Sequence, residues 1–381
     1  MPISPLKILL MGDASNCHRT LATGLRRLGH EVVVASDGTK WMDTERDIDL
    51  KRRWDNKLGG LDLWARIQLC HKRKMKGFDV VSIATQGYLP LRPQRQRILY
   101  DFLRTNNRAM FYTALGTDSN FVEECLDPDT PLRYNEFMIY GKPAPHYLHE
   151  PQIANEWLHG PLKQLGDHVY DTIDGAVGVL YEYNVALRRR LAPDMIAYGG
   201  IPIDTEAIRP LELPDRIDKV RLFLGVHRDR SLVKGAELLE AAAKAVVERH
   251  PGKAELVKVE NLPYKQYLEL LKSAHVVLDQ VYSYTPATNA LLAMTYGLNT
   301  ISGGEPEFYD FIGEKENHPI INALPDYTAL TGIIEETVLH PELIKARGLQ
   351  GREFVERHHR CDTVARRFVE FWNQRLIETG K

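Results

Sequence analysis

The residue pattern predicts an α/β protein of two doubly wound domains, each a parallel sheet covered by helices, and three observations carry that prediction. Short apolar runs such as Lys7–Met11 and Val220–Leu224 alternate with stretches of helical periodicity along most of the chain, the mark of strands buried on both faces. A chain of 381 residues is too long for one ordinary core and suits two of roughly 150 to 200 residues each. Between the two series lies a proline-rich, charged stretch with Pro210 and Pro214 that reads as a hinge. The expected division is residues 1–203, a linker 204–219, a second domain 220–355 and a terminal helical segment 356–381.

Composition narrows the function classes. Hydrophobic and charged fractions of 44% and 26% are ordinary for a soluble globular protein. No apolar run approaches the ~18 residues that span a bilayer, and the start MPISPLKILLMG lacks the basic opening and long apolar core of a signal peptide. The expected location is the cytoplasm. Cys17, Cys70, Cys125 and Cys361 are scattered without a C-x-x-C pair, which argues against a disulfide framework or a zinc site. The net charge of −2 hides an asymmetry, because Lys40–Arg108 holds 16 Lys/Arg against 8 Asp/Glu. Charge runs are usually solvated helix faces; the sharper expectation is peripheral contact with an anionic membrane on its inner side. Nucleic acid is not an expected partner.

In the first half, Lys7–Met11 reads as a strand, GDASN as a turn, Cys17–Leu28 as a helix closed by Gly29, and Glu31–Ala35 as the next strand. The turn GDASNC lacks G-x-G-x-x-G, so a dinucleotide site has little support there. Residues 36–60 read as irregular; Trp41, Trp54 and Trp64 are weak candidates for stacking on a sugar or lipid. A helix Leu61–Met75 precedes the strand Phe78–Ala84, which ends in Thr85-Gln86-Gly87. A helix Gln94–Arg104 precedes the strand Ala109–Thr113, followed by ALGTDSNF. Asp127-Pro128-Asp129 has the spacing of a metal-holding D-x-D, but its proline favours a plain turn. PHYLHEP, ending at Pro151, reads as a loop whose His146 or His149 has the pKa range of an acceptor base. A long helix Ile153–Thr172, the strand Gly175–Leu180, a helix through Leu191 and the strand Met195–Ala197 complete this half.

The second half carries the chemistry. Strand Val220–Leu224 is ended by Gly225, and the loop after it holds His227, Arg228 and, six positions on, Lys234-Gly235 before a helix Gly235–Glu248. Two cations on one loop at a strand end can grip a diphosphate, Arg as a planar fork and Lys as a point charge. Strand Glu255–Val259, a segment through Leu262, helix Tyr264–Ser273 and strand His275–Leu278 follow. Thr285-Pro286-Ala287-Thr288-Asn289 then opens a helix to about Tyr296. Its free N–H groups and dipole favour an anion, and Thr285, Thr288 or Asn289 add hydrogen bonds. Taken singly, each feature is more often solvated surface or a cap. Together they read as a pocket for the diphosphate of an activated sugar.

At these residues the sequence resembles a known group. GVHRDRSLVKG and ALLAMTYGLNTISGGEPE are similar to segments of the retaining glycosyltransferases of the GT-B fold, especially the family-four-like group (glycosyl transferases group 1). The resemblance implies two Rossmann-like domains facing a cleft, with the last helix returning to the first. It implies a nucleotide-diphosphate sugar, UDP or GDP, as donor, with no cofactor and no metal. Arg228 and Lys234 fall on the diphosphate-binding pair. Asp118, in Leu115-Gly116-Thr117-Asp118, falls in the family's His-Gly-x-Asp and is taken as a catalytic group. Gly12 and Gly225 would approach the donor, as would His227, Leu262, Glu305 and Glu307; Asp13, Gln86 and Thr117 are weaker acceptor-side candidates. Two departures stand out: Tyr284 and Leu292 occupy the places of two glutamates, and Leu115 that of a histidine. Tyr284, Thr288, Asn289 or Glu305 would then take over the glutamates' contacts. A saccharide or lipid-linked saccharide is the expected acceptor, as in polysaccharide biosynthesis. The rival expectations are a nucleotide-sugar-binding protein without transferase activity, a sugar-nucleotide epimerase or phosphorylase, and a nicotinamide oxidoreductase.

Overall fold

The computed structural model describes residues 5–39 and 42–381; Trp41 lies outside them. The chain forms two compact units. One comprises residues up to Glu124, Gln152–Asp204 and Cys361–Lys381; the other comprises Cys125–Pro151 and Thr205–Arg360.

In chain order the strands of the first half are β1 (Lys7–Met11), β2 (Glu31–Ser36), β3 (Ile48–Asp49), β4 (Val80–Ala84), β5 (Ala109–Ala114), the small hairpin β6 (Met138–Ile139) and β7 (Lys142–Pro143), β8 (Gly175–Gly178) and β9 (Ile196–Tyr198). All except the hairpin form one parallel sheet in the order β3-β2-β1-β4-β5-β8-β9, with Ile8 opposite both Val32 and Val80. The chain leaves β1 towards β2 and β3 and then reverses to β4. The switch point therefore lies between β1 and β4, and it sets the turns after Met11 and after Ala84 side by side at the carboxyl edge. The helix Cys361–Glu378 belongs to this unit, burying Phe368 and Trp372, with Trp372 against Phe111. It lies so close to the helix Cys17–Arg27 that a Cβ on Gly24 would be 2.3 Å from the Cys361 carbonyl oxygen.

Three local expectations change here. The single helix over 153–172 is two, Pro151–Leu158 and Gly160–Tyr170, because Gly160 adopts a φ of 75° and Pro161 starts the second helix. PHYLHEP is not a loop, since Pro145 opens the short helix Pro145–His149. The helix expected from Leu61 begins at Lys57, where Asn56 Oδ1 accepts the Gly59 N–H at 3.0 Å, and it runs on through a π turn, Ile67–His71, and a 3-10 turn, Lys72–Met75.

The second unit's sheet consists of β10 (Val220–Val226), β11 (Ala254–Glu260), β12 (Val276–Leu278), β13 (Asn299–Ser302) and β14 (Ile321–Asn322), all parallel, in the order β11-β10-β12-β13-β14. Leu222, Leu224 and Val226 pack on one face with Leu239, Ala242 and Ile334; Phe223 and Val277 pack on the other with Leu271 and Ala293. The switch point is between β10 and β12. Contrary to expectation Gly225 does not end the strand: β10 runs through it, and the bare α-carbon makes room for Tyr267, whose Cε2 would lie 2.4 Å from a Cβ.

Glu314 gives this unit a pH-sensitive clamp. Burial pushes its carboxyl up, but hydrogen bonds from His358 (2.7 Å), the Asn317 and Glu316 N–H groups (3.0 and 3.1 Å) and Arg357 (2.9 Å) outweigh it and hold the group at about 2. A depressed pKa supplies stability above the unfolded value of 4.5 that is lost as pH falls through the folded one. The denaturation midpoint should therefore fall between about pH 4.5 and 2, and Glu314→Gln should fall less steeply across that window. Equal slopes in the two proteins would show that Glu314 is not the group responsible.

Candidate functional site

The expected site residues of the second unit fall into three groups at the carboxyl ends of its strands. After β10 the chain makes a 3-10 turn, Arg228–Arg230, and a one-turn helix, Ser231–Lys234, closed by Gly235 at φ 69°. Lys234 thus ends a helical turn rather than riding on an open loop. Its Nζ lies 2.9 Å from Oδ1 of Asp279, the residue just past β12, whose side chain is fully buried. Asn289 Nδ2 donates to the same oxygen at 3.2 Å and Ser302 Oγ to the other at 3.1 Å, while Tyr267 OH donates to Asn289 Oδ1 at 2.6 Å. One buried carboxylate thereby collects Lys234, the end of β13 and the start of the next helix. Sequence reasoning missed Asp279, although a carboxylate directly after the apolar run VVL was a usable signal.

Arg228 forms the second group. Its side chain is 74% exposed, pairs with Glu260 at 3.2 Å and lines a cavity of about 600 Å³ with Val226, Ser231, Leu232, Lys258 and His149. His227 is exposed beside it, and Leu262 is half-buried in the segment after β11.

The third group contains Tyr284, Glu305 and Glu307, joined by residues that sequence reasoning missed. Glu305 is 3% exposed; its Oε2 accepts from Arg133 Nη2 at 2.5 Å and its Oε1 from Tyr134 OH at 2.5 Å and Asn322 Nδ2 at 2.8 Å. Glu307 Oε1 is 3.0 Å from the same Arg133 nitrogen. Tyr284 OH accepts from the Arg133 N–H at 2.6 Å and from its Nε at 3.1 Å, and the Tyr134 and Tyr284 rings lie 5.0 Å apart. Hydrogen bonding to Tyr284, then the charges of Glu305 and Glu307, raise the Arg133 pKa, so the guanidinium is permanently charged. Burial raises Tyr284, which stays a neutral phenol. Arg133 and Tyr134 come from 125–151, far away in sequence, with no local motif to reveal them.

The helix after β12 spans Thr288–Thr295 with Ala287 as its cap, so Pro286 precedes the first turn instead of sitting in it. Thr288 is half-buried at its start. Thr285 is buried, and its carbonyl accepts from Gln280 Nε2 at 3.1 Å and Ser283 Oγ at 2.8 Å.

In the first unit, two expected substrate-contacting groups belong to the core. Asp118 is 2% exposed: Oδ1 accepts the Phe121 N–H at 2.7 Å, capping the helix Ser119–Leu126, and Oδ2 accepts from Tyr112 and Tyr170 hydroxyls. The expected catalytic group thus sits as a buried cap of that helix. Gln86, the expected acceptor-side candidate, is likewise buried and bridges Leu162 O (3.0 Å) and Ser119 Oγ (2.9 Å). Thr117 is half-buried in the loop before Asp118.

The turn after β1 is more open. Gly12 has φ 74°, and a Cβ there would meet the Tyr88 carbonyl at 2.5 Å. Asp13 accepts the His18 and Arg19 N–H groups at 2.9 and 3.2 Å; burial nevertheless pushes its carboxyl up to about 7. Burial holds the neighbouring His18 down at about 4, neutral, with Nδ1 2.8 Å from Gly12 O.

The sequence matches no protein-family model and no curated protein. Solved structures do match the fold. Anabaena HepE in complex with UDP and glucose aligns at TM-score 0.57 and 11% identity over 97% of this chain and 100% of that one. The complex of the same protein with UDP-glucose aligns at TM-score 0.58 and 12% identity, over 97% and 100%. Sucrose-phosphate synthase from Thermosynechococcus elongatus aligns at TM-score 0.61 and 13% identity, over 98% and 100%. With its two parallel α/β sheets of seven and five strands, the chain has the GT-B fold.

Proposed function

We propose that this protein is a glycosyltransferase that moves a sugar from a nucleotide-diphosphate donor to an acceptor hydroxyl, with the diphosphate held at the carboxyl ends of β10 and β12. The observation that carries the reading is the pair of cations after β10. Arg228 projects into an open cavity, and Lys234 is fixed by Asp279 at the switch point, where doubly wound sheets take ligands. As the donor's glycosidic C–O bond breaks, negative charge grows on the leaving phosphate, and two positioned cations stabilise it electrostatically. The fold shared with HepE, solved with UDP and glucose, supports the same donor class. A hexosyl donor, retention at the anomeric carbon and departure of the phosphate without a metal are the finer parts of this proposal.

A second reading is favoured by a specific observation. Tyr284, Glu305 and Glu307 are occupied by Arg133, while Asp118 and Gln86 are committed to the core, a pattern suited to a protein that binds a nucleotide sugar without transferring it.

Calorimetric titration with UDP, GDP, ADP and their sugar conjugates tests the first reading. Selective binding, weakened roughly ten- to a hundred-fold in Arg228→Ala as a charged contact is lost, is the expected result. No binding of any nucleotide to the folded protein would overturn it. Binding without sugar release or transfer over an acceptor panel would decide for the second reading.

A further inference from the structure

The helical run from Lys57 through Met75 turns a second apolar face outward. Leu63, Ile67 and Met75 are buried in the first unit's core, as that side of an amphipathic helix should be. On the solvent side stand Leu58 (65% exposed), Leu61 (50%) and Leu69 (82%) at helical spacing, with Trp54 (52%) just upstream. Single exposed apolar residues are normal on a protein surface, but three on one helical run, with Trp54 three residues before its start, form a patch that marks an interaction surface. Both ends of the patch are basic: Arg53 and Lys57 lie at one, Arg73, Lys74 and Lys76 at the other, all exposed. The acidic groups nearby are Asp55, exposed, Asp49, which is held by Arg46 at 2.7 Å, and Asp62, which is held by Arg66 at 3.0 Å and Arg53 at 3.3 Å.

We propose that this face seats on an anionic phospholipid surface, with the leucines and Trp54 entering the headgroup region and the basic ends meeting lipid phosphates. Apolar insertion combined with cationic charge is the pair of signals that holds an interfacial helix, and each cation near an anionic surface adds attraction. The charge pattern also selects among occupants. Two copies of this chain meeting patch to patch would bring like charges together, whereas a negatively charged bilayer complements them. The inference stands apart from the proposed transferase reading, because none of these residues lies in the second unit.

The test is co-sedimentation of the full chain with phosphatidylcholine vesicles and with vesicles that also contain phosphatidylglycerol, at low and high salt. Wild type should sediment with the anionic vesicles alone and be released by salt. Arg73→Glu/Lys74→Glu should bind more weakly by about five-fold or more for each charge altered, and Leu58→Gln/Leu61→Gln/Leu69→Gln should lose binding even at low salt. The substituted side chains are solvent-facing, so thermal midpoints and nucleotide titrations should stay as in wild type; a change in nucleotide binding alone would speak to the other reading. Equal recovery on neutral vesicles, no recovery on either, or unaltered binding by the leucine variant would overturn the proposal. So would a lipid-independent dimer that the leucine variant dissolves, since the patch would then be an interface between copies.

Discussion

Lys234→Met should destabilise the second unit by about 3–5 kcal/mol, the usual cost of leaving a buried carboxylate without its counter-charge. Asp279 has no exposed side-chain surface, and beyond Lys234 its partners are the neutral donors Asn289 and Ser302. Adding Asp279→Asn removes the stranded charge while keeping hydrogen-bonding capacity, so the double variant should recover most of the loss. Denaturant titration of the two single variants and the double closes the cycle. The same proteins separate two roles for Lys234. If the lysine also grips a diphosphate, the double variant is stable yet still binds nucleotide poorly. Recovery of both stability and binding would make Lys234 a purely structural partner of Asp279 and leave Arg228 as the sole phosphate contact.

The second large effect is expected at Glu305. Glu305→Ala would leave Tyr134 and Asn322 without their acceptor, at a cost of about 1–3 kcal/mol for each group left unsatisfied, while the half-exposed Arg133 guanidinium keeps Glu307 and water. Glu305→Gln keeps the shape and an acceptor oxygen and should cost less, about 1–3 kcal/mol. Because Arg133 and Tyr134 belong to 125–151, loosening the cluster should raise the rate of tryptic cleavage after Arg133 in the alanine variant. Protection equal to wild type would show that the apolar anchors Leu132 and Phe137, both buried, hold the segment unaided. Nucleotide titration of the glutamine variant adds a functional readout, since a donor sugar contacting Glu305 would have to share it with Arg133.

Most of the secondary structure was readable along the chain. The runs at Lys7–Met11, Ala109–Ala114 and Val276–Leu278 are apolar because both sheet faces are covered, and that property is written locally. Mid-element breaks were harder, and they followed single residues: Gly160 with Pro161 cut one helix, Pro145 started another, and Gly225 failed to stop a strand because Tyr267 packs on it.

For the site, residue type and spacing located Arg228, Lys234 and Asn289 at the strand ends, because a loop after a buried strand must emerge at the sheet's edge. Partnership was another matter. Nothing in ALGTDSNF distinguishes a reactive Asp118 from one enclosed by Tyr112 and Tyr170, and nothing near Glu305 announces an arginine 172 positions earlier. Periodicity reports which side of an element is buried, a local property of the chain. The state of a carboxylate depends on which distant donors the folded backbone delivers to it, and only the three-dimensional packing specifies those.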